Sequence, residues 1–239
     1  MRYFFGFLFL VSVGVLSGQE KLARPDIPGE LMVDIGLNYW DGEPLFVDQA
    51  GWRSKSIGIY YIKRKALSNK FSFYYGAGLG MEKIGLGDTV TFSSGVLLNA
   101  DDADPDNDVL SPLEVTTLPG NFPYDKNRLA VTYLDIPVEL RFHPKGTQDG
   151  EGLFVGVGGI VGLRMNSHMK YKYNEGGETI VQKIKGEYNL SALRYGVQAR
   201  FGFRGVHFFY KKYLSDTFKD PIGQINPRMT TVGINITGF

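Results

Sequence analysis

Charged and apolar side chains alternate along the stretch YLDIPVELRFH, residues 133–143. Asp135, Glu139 and Arg141 fall in one phase of this alternation. The other phase is hydrocarbon and contains Leu134, Ile136, Val138, Leu140 and Phe142. A period of two places such sets on opposite faces of a β-strand. Acids and bases that share a dry face could neutralise one another, or they could pass protons or ions along it.

Other alternating stretches add polar residues to the same kind of face. If all these faces point into one lumen, its lining includes Asp34, Glu82, Asp135, Glu139, Arg141, Arg164, Arg194, Gln198 and Arg200. Buried charges need partners, because an unpaired buried charge is strongly destabilising. We therefore expect a structural network of neutralised charges, and a path for protons or ions is the alternative.

Residue types suited to catalysis are scarce in this chain. It has three histidines, His143, His168 and His207, and no cysteine. Ser167 and His168 adjoin the outer end of a predicted strand, where a barrel enzyme acting on lipid or peptide could place a nucleophile and its base. A surface histidine beside a serine is more often inert, so we expect no enzymatic activity. His143 and His207 are predicted to lie near short turns, as part of an interfacial girdle.

An acidic run, DDADPDND, occupies residues 101–108 of the longest predicted loop. Its alternate positions carry Asp102, Asp104, Asp106 and Asp108. Carboxylate oxygens at such spacing can wrap Ca²⁺. No glycine or bidentate glutamate completes a known calcium loop, so a solvated acidic loop without any cofactor is the simpler interpretation.

The elements that would position these residues are eight alternating segments: 29–40, 56–65, 71–83, 128–143, 153–166, 193–204, 206–214 and 230–239. Short and long connections between them alternate strictly, beginning with a long one. Transmembrane barrels show this pattern, with short periplasmic turns and longer outer loops. The predicted fold is therefore all-β, an eight-stranded antiparallel up-and-down transmembrane β-barrel. Pro137 lacks a ladder donor, and we interpret it as a bulge or strand end.

The first residues, MRYFFGFLFLVSVGVLSGQE, combine a basic start, an apolar run and small residues, which is the layout of a secretory signal peptide. We expect cleavage of residues 1–18, an N-terminal periplasmic segment over 19–28 and an outer-membrane barrel over 29–239. The absence of cysteine excludes disulfides, thiol catalysis and a lipoprotein anchor. A net charge of +1 gives no reason to expect a nucleic-acid partner.

The same alternation fits two kinds of barrel. In a transmembrane barrel the apolar face meets lipid, and aromatic residues near the strand ends form girdles at the membrane interfaces. The girdle candidates are Tyr39, Trp40, Phe71, Phe73, Tyr133, Phe142, Tyr195, Phe201 and Phe203. In a soluble, lipocalin-like carrier the apolar face would instead line a ligand cavity. The strict alternation of loop lengths favours the transmembrane barrel.

The segment TYLDIPVELRFHPKG, the glycine-rich strand over 156–162 and the closing TVGINITGF resemble the outer-membrane β-barrel family of Bacteroidota that includes PorT-like proteins. The closest match is Tyr133, Leu134, Asp135, Ile136 and Pro137, since that family commonly carries a Tyr-Leu-Asp/Glu-Ile-Pro stretch before a barrel strand. The resemblance implies an outer-membrane barrel and, for some members, a role in protein secretion. Phe239 departs from the family's usual pattern, because it is out of phase with Val232, Ile234 and Ile236.

These observations together predict a barrel with a closed, charged lumen. We expect a structural or partner-binding subunit of an envelope assembly that is surrounded by outer-membrane lipid. Loops on a rigid scaffold carry binding more often than the scaffold does. Segments 84–127 and 167–189 are therefore the expected contacts with another envelope protein. The competing functions are the barrel enzyme and the soluble carrier.

Overall fold

The computed structural model describes residues 29–42, 49–87, 90–93, 114–117, 124–146, 152–175, 177–203, 205–221 and 225–237. Eleven strands lie in these ranges: β1 (Glu30–Asp41), β2 (Lys55–Ala66), β3 (Phe71–Gly85), β4 (Val90–Ser93), β5 (Glu114–Thr117), β6 (Tyr124–Phe142), β7 (Phe154–Glu175), β8 (Glu178–Lys185), β9 (Leu193–Phe203), β10 (Val206–Tyr213) and β11 (Arg228–Thr237). A single 3₁₀ turn, Gly51–Arg53, precedes β2. No helix in these ranges is long and apolar enough to cross a membrane.

Eight of the strands close into a ring in the order β1, β2, β3, β6, β7, β9, β10 and β11. The last strand pairs with the first, with Ile35 opposite Ile234, and all the pairings are antiparallel. Each of the eight strands overlaps one of the eight segments expected from the sequence. The predicted fold class, an eight-stranded antiparallel barrel, is confirmed.

The alternation along each barrel strand has the expected direction. On β6, Leu134, Ile136 and Val138 face outward, while Asp135 and Glu139 are buried inside. The last strand behaves in the same way, with its outward residues Val232, Ile234 and Ile236. A soluble carrier would need the opposite arrangement, so the structure argues against the alternative of an apolar ligand cavity. Phe239 lies outside the described residues.

Short and long connections separate the two ends of the barrel. One end of the barrel, which we call the turn rim, is where β2 is followed by β3, β6 by β7 and β9 by β10, and it also contains Glu30 and Thr237. The other end, the loop rim, is where β1 is followed by β2 and β10 by β11, where β3 ends and β6 begins, and where the β7–β8 hairpin lies. This arrangement agrees with the alternation that the sequence predicted.

Two strands are longer than expected, and they build a second structure on the loop rim. The upper part of β7 leaves β9 and pairs with β8, while its other edge stays paired with the upper part of β6. Strands β6, β7 and β8 thus form a three-stranded extension beyond the ring. A register shift marks its base, because Thr132 pairs with Asn166 and Tyr133 pairs with Arg164, leaving Met165 as an inserted residue.

Pro137 is neither at a bulge nor at a strand end, so that prediction is wrong. Strand β6 continues through it, and Pro137 keeps its place opposite Ile160 of β7. The pairing with β3 is interrupted there, between the pairs Tyr75–Val138 and Gly78–Asp135, and resumes in the same register. The missing donor is therefore accommodated by a local gap in one ladder.

Candidate functional site

The centre of the lumen is organised around Asp34, which is fully buried. The guanidinium of Arg200 donates from both terminal nitrogens to the two oxygens of Asp34, at 2.9 and 2.8 Å. The ammonium of Lys211 lies 2.7 Å from Asp34 Oδ2, and Asn235 donates to Oδ1 at 2.5 Å. One carboxylate thus holds two cations that come from two different strands.

Arg194 forms a second centre towards the loop rim. Its guanidinium donates to Asp135 at 2.6 and 3.1 Å and to Glu82 at 3.0 Å. The rings of Tyr133 and Tyr213 lie 3.8 and 4.5 Å from its central carbon. Stacking on aromatic rings and a planar fork of donors are properties of arginine that lysine lacks. Arg194 is therefore neutralised by two carboxylates and fixed by two rings.

Glycines make room for this second centre. A Cβ placed on Gly80 or Gly162 would overlap the Asp135–Arg194 pair. Both glycines occupy the inward phase of their strands, one on each side of Asp135 on β6. The glycine-rich face of the barrel is thus the space into which the long charged side chains extend.

Glu139 and Tyr60 connect the charges into one network. Glu139 lies 2.9 Å from the Nε of Arg200 and also pairs with Arg141. The hydroxyl of Tyr60 donates to Asp135 at 3.2 Å and accepts from Lys211 at the same distance. Continuous polar contacts therefore run from Arg141, near the turn rim, to Arg194, near the loop rim.

Eight of the nine lumenal residues expected from the sequence are joined in this network: Asp34, Glu82, Asp135, Glu139, Arg141, Arg194, Gln198 and Arg200. Arg164 stands apart at the loop rim. It donates to the Glu187 carbonyl at 2.9 Å and lies 3.7 Å from the Glu187 carboxylate.

The sequence reasoning missed several members of the network. Lys211 and His207 share a phase with Phe209, opposite the outward Val206, Phe208 and Tyr210. The alternation of β10 could have revealed both. Asn38 also shares a phase with Asp34; its amide donates to Glu82 at 2.7 Å. Assigning faces to every strand, rather than to the strands with several charges, would have found these three residues.

His143 and His207 are not girdle residues, and that prediction is wrong. Their exposed fractions are 1% and 2%, because both side chains point into the turn-rim end of the lumen. The Nδ1 of His207 lies 2.7 Å from Asn235 Oδ1, and the ring packs edge-on against Phe154. Both histidines lie near short turns, as expected, but their side chains are on the inner side of the barrel wall.

Trp40 and Tyr133 are likewise inside the barrel rather than in a girdle. Trp40 is 6% exposed and packs edge-on against Phe218, with the ring centroids 5.9 Å apart. The other girdle candidates that the structure describes face outward or are partly exposed: Tyr39, Phe71, Phe73, Phe142, Tyr195, Phe201 and Phe203. The aromatic girdle is thus retained in part.

A predominantly apolar cap closes the loop-rim end of the lumen. Leu190 and Phe218, from two different loops, form an isolated β-bridge over the mouth and are both fully buried. The hydroxyl of Tyr188 donates to the Ile184 carbonyl at 2.8 Å, and burial raises the pKa of this phenol above its ordinary value. The cap and the inner side of the extension bring together Trp40, Ile84, Leu86, Leu129, Val131, Tyr133, Ile160, Met169, Tyr171, Tyr188, Leu190, Tyr213, Phe218 and Met229.

Ser167 and His168 do not form a catalytic pair. Adjacent residues of a strand point to opposite faces, and these two follow that rule. Ser167 is buried and donates to the Gly186 carbonyl at 2.5 Å. His168 lies on the outer side, opposite Lys185. The candidate calcium ligands of the 101–108 run lie outside the described residues, and the described ranges contain no other group of side chains able to hold a metal.

Comparisons with known proteins agree with a barrel of the outer membrane. No curated protein matches the chain. Among solved structures, Ail of Yersinia pestis, in complex with the heparin analogue sucrose octasulfate, is 11% identical, with a TM-score of 0.33 over 89% of this chain and 100% of that one. A mutant Rh. blastica porin is 11% identical, with a TM-score of 0.20 over 88% and 99%. At these TM-scores neither likeness bears on function. The model of the family described as "Outer membrane protein beta-barrel domain" matches residues 31–215, and the chain therefore belongs to this family of the outer membrane.

Proposed function

We propose that the chain is a non-conducting outer-membrane barrel that serves as a structural or partner-binding subunit of an envelope assembly. The observation that carries this proposal is the filled lumen. Paired charges occupy it from Arg141 to Arg194, and the cap lies above them. An eight-stranded barrel is just wide enough for side chains to fill. With its interior occupied in this way, the barrel acts through surfaces at its rims.

The three-stranded extension is the surface best suited to a protein partner. Strand β8 pairs with β7 along one edge, and none of the described strands covers its other edge. Open edges accept a strand from another chain. Val181 and Ile184 of β8 are 52% and 48% exposed, beyond the apolar band of the barrel. The predicted contact segment 167–189 thus supplies both an edge and apolar side chains.

Segment 84–127 adjoins the same extension. It contains the β4–β5 hairpin and leads directly into β6, whose upper part pairs with β7. The two segments expected to bind a partner therefore border one another on the loop rim. A secretion-related role, as in some PorT-like proteins, and export through a cleaved leader over residues 1–18 belong to this proposal.

Affinity purification from gently solubilised membranes tests the partner role. A Val181→Glu/Ile184→Glu double variant and a variant with residues 92–122 replaced by a Gly-Ser linker should still insert and remain heat-modifiable. Both should lose the co-purifying protein. Leu67→Glu is the matched control, because Leu67 is 55% exposed on a turn-rim connection. Retention of the same partner by both loop-rim variants would refute the proposed surface, and recovery of the wild-type protein in the soluble periplasm would refute the location.

A further inference from the structure

Cations face each other across neighbouring strands on the outer wall of the loop rim. The opposed pairs are Lys55–Lys83, Lys126–Lys172, Arg128–Lys170 and Lys170–Lys183. Like charges directly opposite one another destabilise a sheet. We call these seven residues the basic belt. Asp125 adjoins the belt and pairs with Lys172 at 3.1 Å. The repeated pairing of like charges among the described residues favours the binding of an anion from outside the chain.

The belt continues the surface of the barrel that faces lipid. Lys55 lies two residues from Ile57 in the same outward phase, and Lys83 stands in the same relation to Met81. A spacing of two residues moves about 7 Å along a strand. That distance carries a side chain from the edge of the hydrocarbon into the headgroup layer, where lysine and arginine extend towards lipid phosphates.

A cavity of about 320 Å³ opens within the belt. Its wall includes five cationic side chains, one carboxylate and one tryptophan: Arg53, Lys55, Lys83, Lys126, Arg128, Asp125 and Trp52. Trp52 is 80% exposed, and the Lys55 ammonium lies 5.8 Å from the centroid of its ring. The Nε of Arg128 is buried with no hydrogen-bond acceptor among the described residues. The cavity is open to solvent on one side, and its volume lies at the lower end of the range for small-molecule sites.

The floor of this cavity is held in place by the backbone. The amide of Ala50 donates to the Gly85 carbonyl at 3.1 Å, and the amide of Gly85 donates to Ser54 Oγ at 3.0 Å. A Cβ on Gly85 would approach the Cβ of Arg53 at 2.6 Å, so only glycine allows the 3₁₀ turn to lie this close to β3. The site is thus formed before any ligand arrives, which lowers the entropic cost of binding.

We propose that the basic belt binds the phosphate groups of the lipids that surround the loop rim, and that the cavity beside Trp52 seats one phosphate-bearing headgroup. A lipid fits these observations better than a soluble polyanion does. Its acyl chains would continue down the wall over Ile57, Ile59 and Leu79, in the same outward phase as the cations. The headgroup supplies a counter-charge to the opposed cations.

Fluorescence of Trp52 in lipid nanodiscs tests the site, because Trp40 is the one other tryptophan of the chain and a Trp52→Phe variant gives its background. The nanodiscs contain phosphatidylcholine with either dibrominated phosphatidic acid or dibrominated phosphatidylcholine at equal mole fraction. The phosphatidic acid should quench Trp52 at least about fivefold more per mole, the factor that corresponds to about 1 kcal/mol from a single cation near the surface. Lys83→Gln/Arg128→Gln should abolish the difference.

Lys63→Gln/Lys65→Gln is the matched control, because both lysines are exposed on β2 at the turn rim, and it should keep the preference. Heat modifiability of each variant separates loss of binding from loss of fold. Equal quenching by the two brominated lipids, or a preference that survives in Lys83→Gln/Arg128→Gln, would overturn the proposal. A third result would also overturn it: phosphatidic acid leaves the quenching of Trp52 unchanged, but inorganic polyphosphate shifts its emission. That result would assign the belt to a soluble polyanion.

Discussion

Asp34 and Arg200 are 166 positions apart in the sequence, yet two parallel hydrogen bonds of 2.9 and 2.8 Å join them across the barrel interior. Both side chains are fully inaccessible to solvent. A pair of this kind cannot form until β1 and β9 are both in place on the ring. The contact therefore reports on closure of the barrel and not on any local element.

Removing the acid should cost more than rearranging hydrocarbon on the outer wall. Asp34→Asn leaves Arg200 and Lys211 without their shared counter-charge, and we expect a loss of about 3–5 kcal/mol in the free energy of unfolding. The control is Ile35→Leu, at the next position on the outer wall, for which about 1 kcal/mol or less is expected. Urea titration of the protein in lipid vesicles measures both. Similar small losses for the two variants would contradict the assignment of the lumenal network.

A second comparison addresses the opposite faces of β6. Glu139→Leu removes the acid shared by Arg141 and Arg200, whereas Val138→Leu adds one methylene on the lipid side. The first change should destabilise the barrel by several kcal/mol and the second by less than about 1 kcal/mol. The same urea titration measures the free energy of unfolding of both variants. Equal effects would mean that the inner and outer faces had been exchanged.

Arg194 should not tolerate its usual conservative replacement. Arg194→Lys cannot reach Asp135 and Glu82 with the same fork of donors, and it loses the flat contact with Tyr133 and Tyr213. We expect a loss of about 2 kcal/mol. The matched control is Lys212→Arg, which exchanges lysine and arginine in an exposed ion pair with Asp41 and should leave the stability unchanged. An unchanged free energy of unfolding in Arg194→Lys would show that the fork of donors and the ring contacts of Arg194 do not stabilise the barrel.

The glycine beside the second centre gives a sharper test of packing. In Gly162→Ala the new methyl group must displace either Asp135 or Arg194, and we expect a loss of about 1–3 kcal/mol. Gly152→Ala is the control, because a Cβ there meets nothing within 4 Å. Heat-modified gel mobility as a function of temperature measures both variants. Equal midpoints would indicate that the ion pair has room to move.

The filled lumen predicts the electrical behaviour of the barrel. Planar bilayers that contain the wild-type protein should show no large steady conductance, because paired side chains and the cap leave no continuous water column. An open lumen would instead give stable conductance steps that scale with salt concentration. Observation of such steps, in preparations shown to be free of contaminating porins, would contradict the proposed closed barrel.

The phase of a residue along a strand is a better guide to its face than its position near a strand end. The position of Trp40 and Tyr133 near predicted strand ends predicts that both belong to the girdle. Trp40, however, is in phase with Asp34, and Tyr133 is in phase with Asp135. The structure places all four inside. A strand end at the loop rim meets the cap on one side and the membrane interface on the other, and the period of two alone distinguishes them.

Other features leave no signal in a single sequence. The eight barrel strands were predictable because one face of each meets lipid and the other meets polar groups. Strand β8 has no such contrast, since its residues are exposed on nearly all sides. The choice of partners in the network was equally hidden: alternation brings Asp34 inside, but the shear of the ring decides that it meets Arg200 and Lys211.

The inserted Met165 gives β7 an odd–even boundary. Below it, the even positions Gly162 and Arg164 face the axis; above it, the odd positions Met169 and Tyr171 do. The insertion leaves two consecutive residues, Met165 and Asn166, on the outer side of the strand. Deletion of Met165 would restore strict alternation after Arg164, so Met169 and Tyr171 would stay inside and the lysines of the upper strand would stay outside. The extra residue therefore does not select the faces of the extension; it bends and twists β7 where this strand leaves the ring.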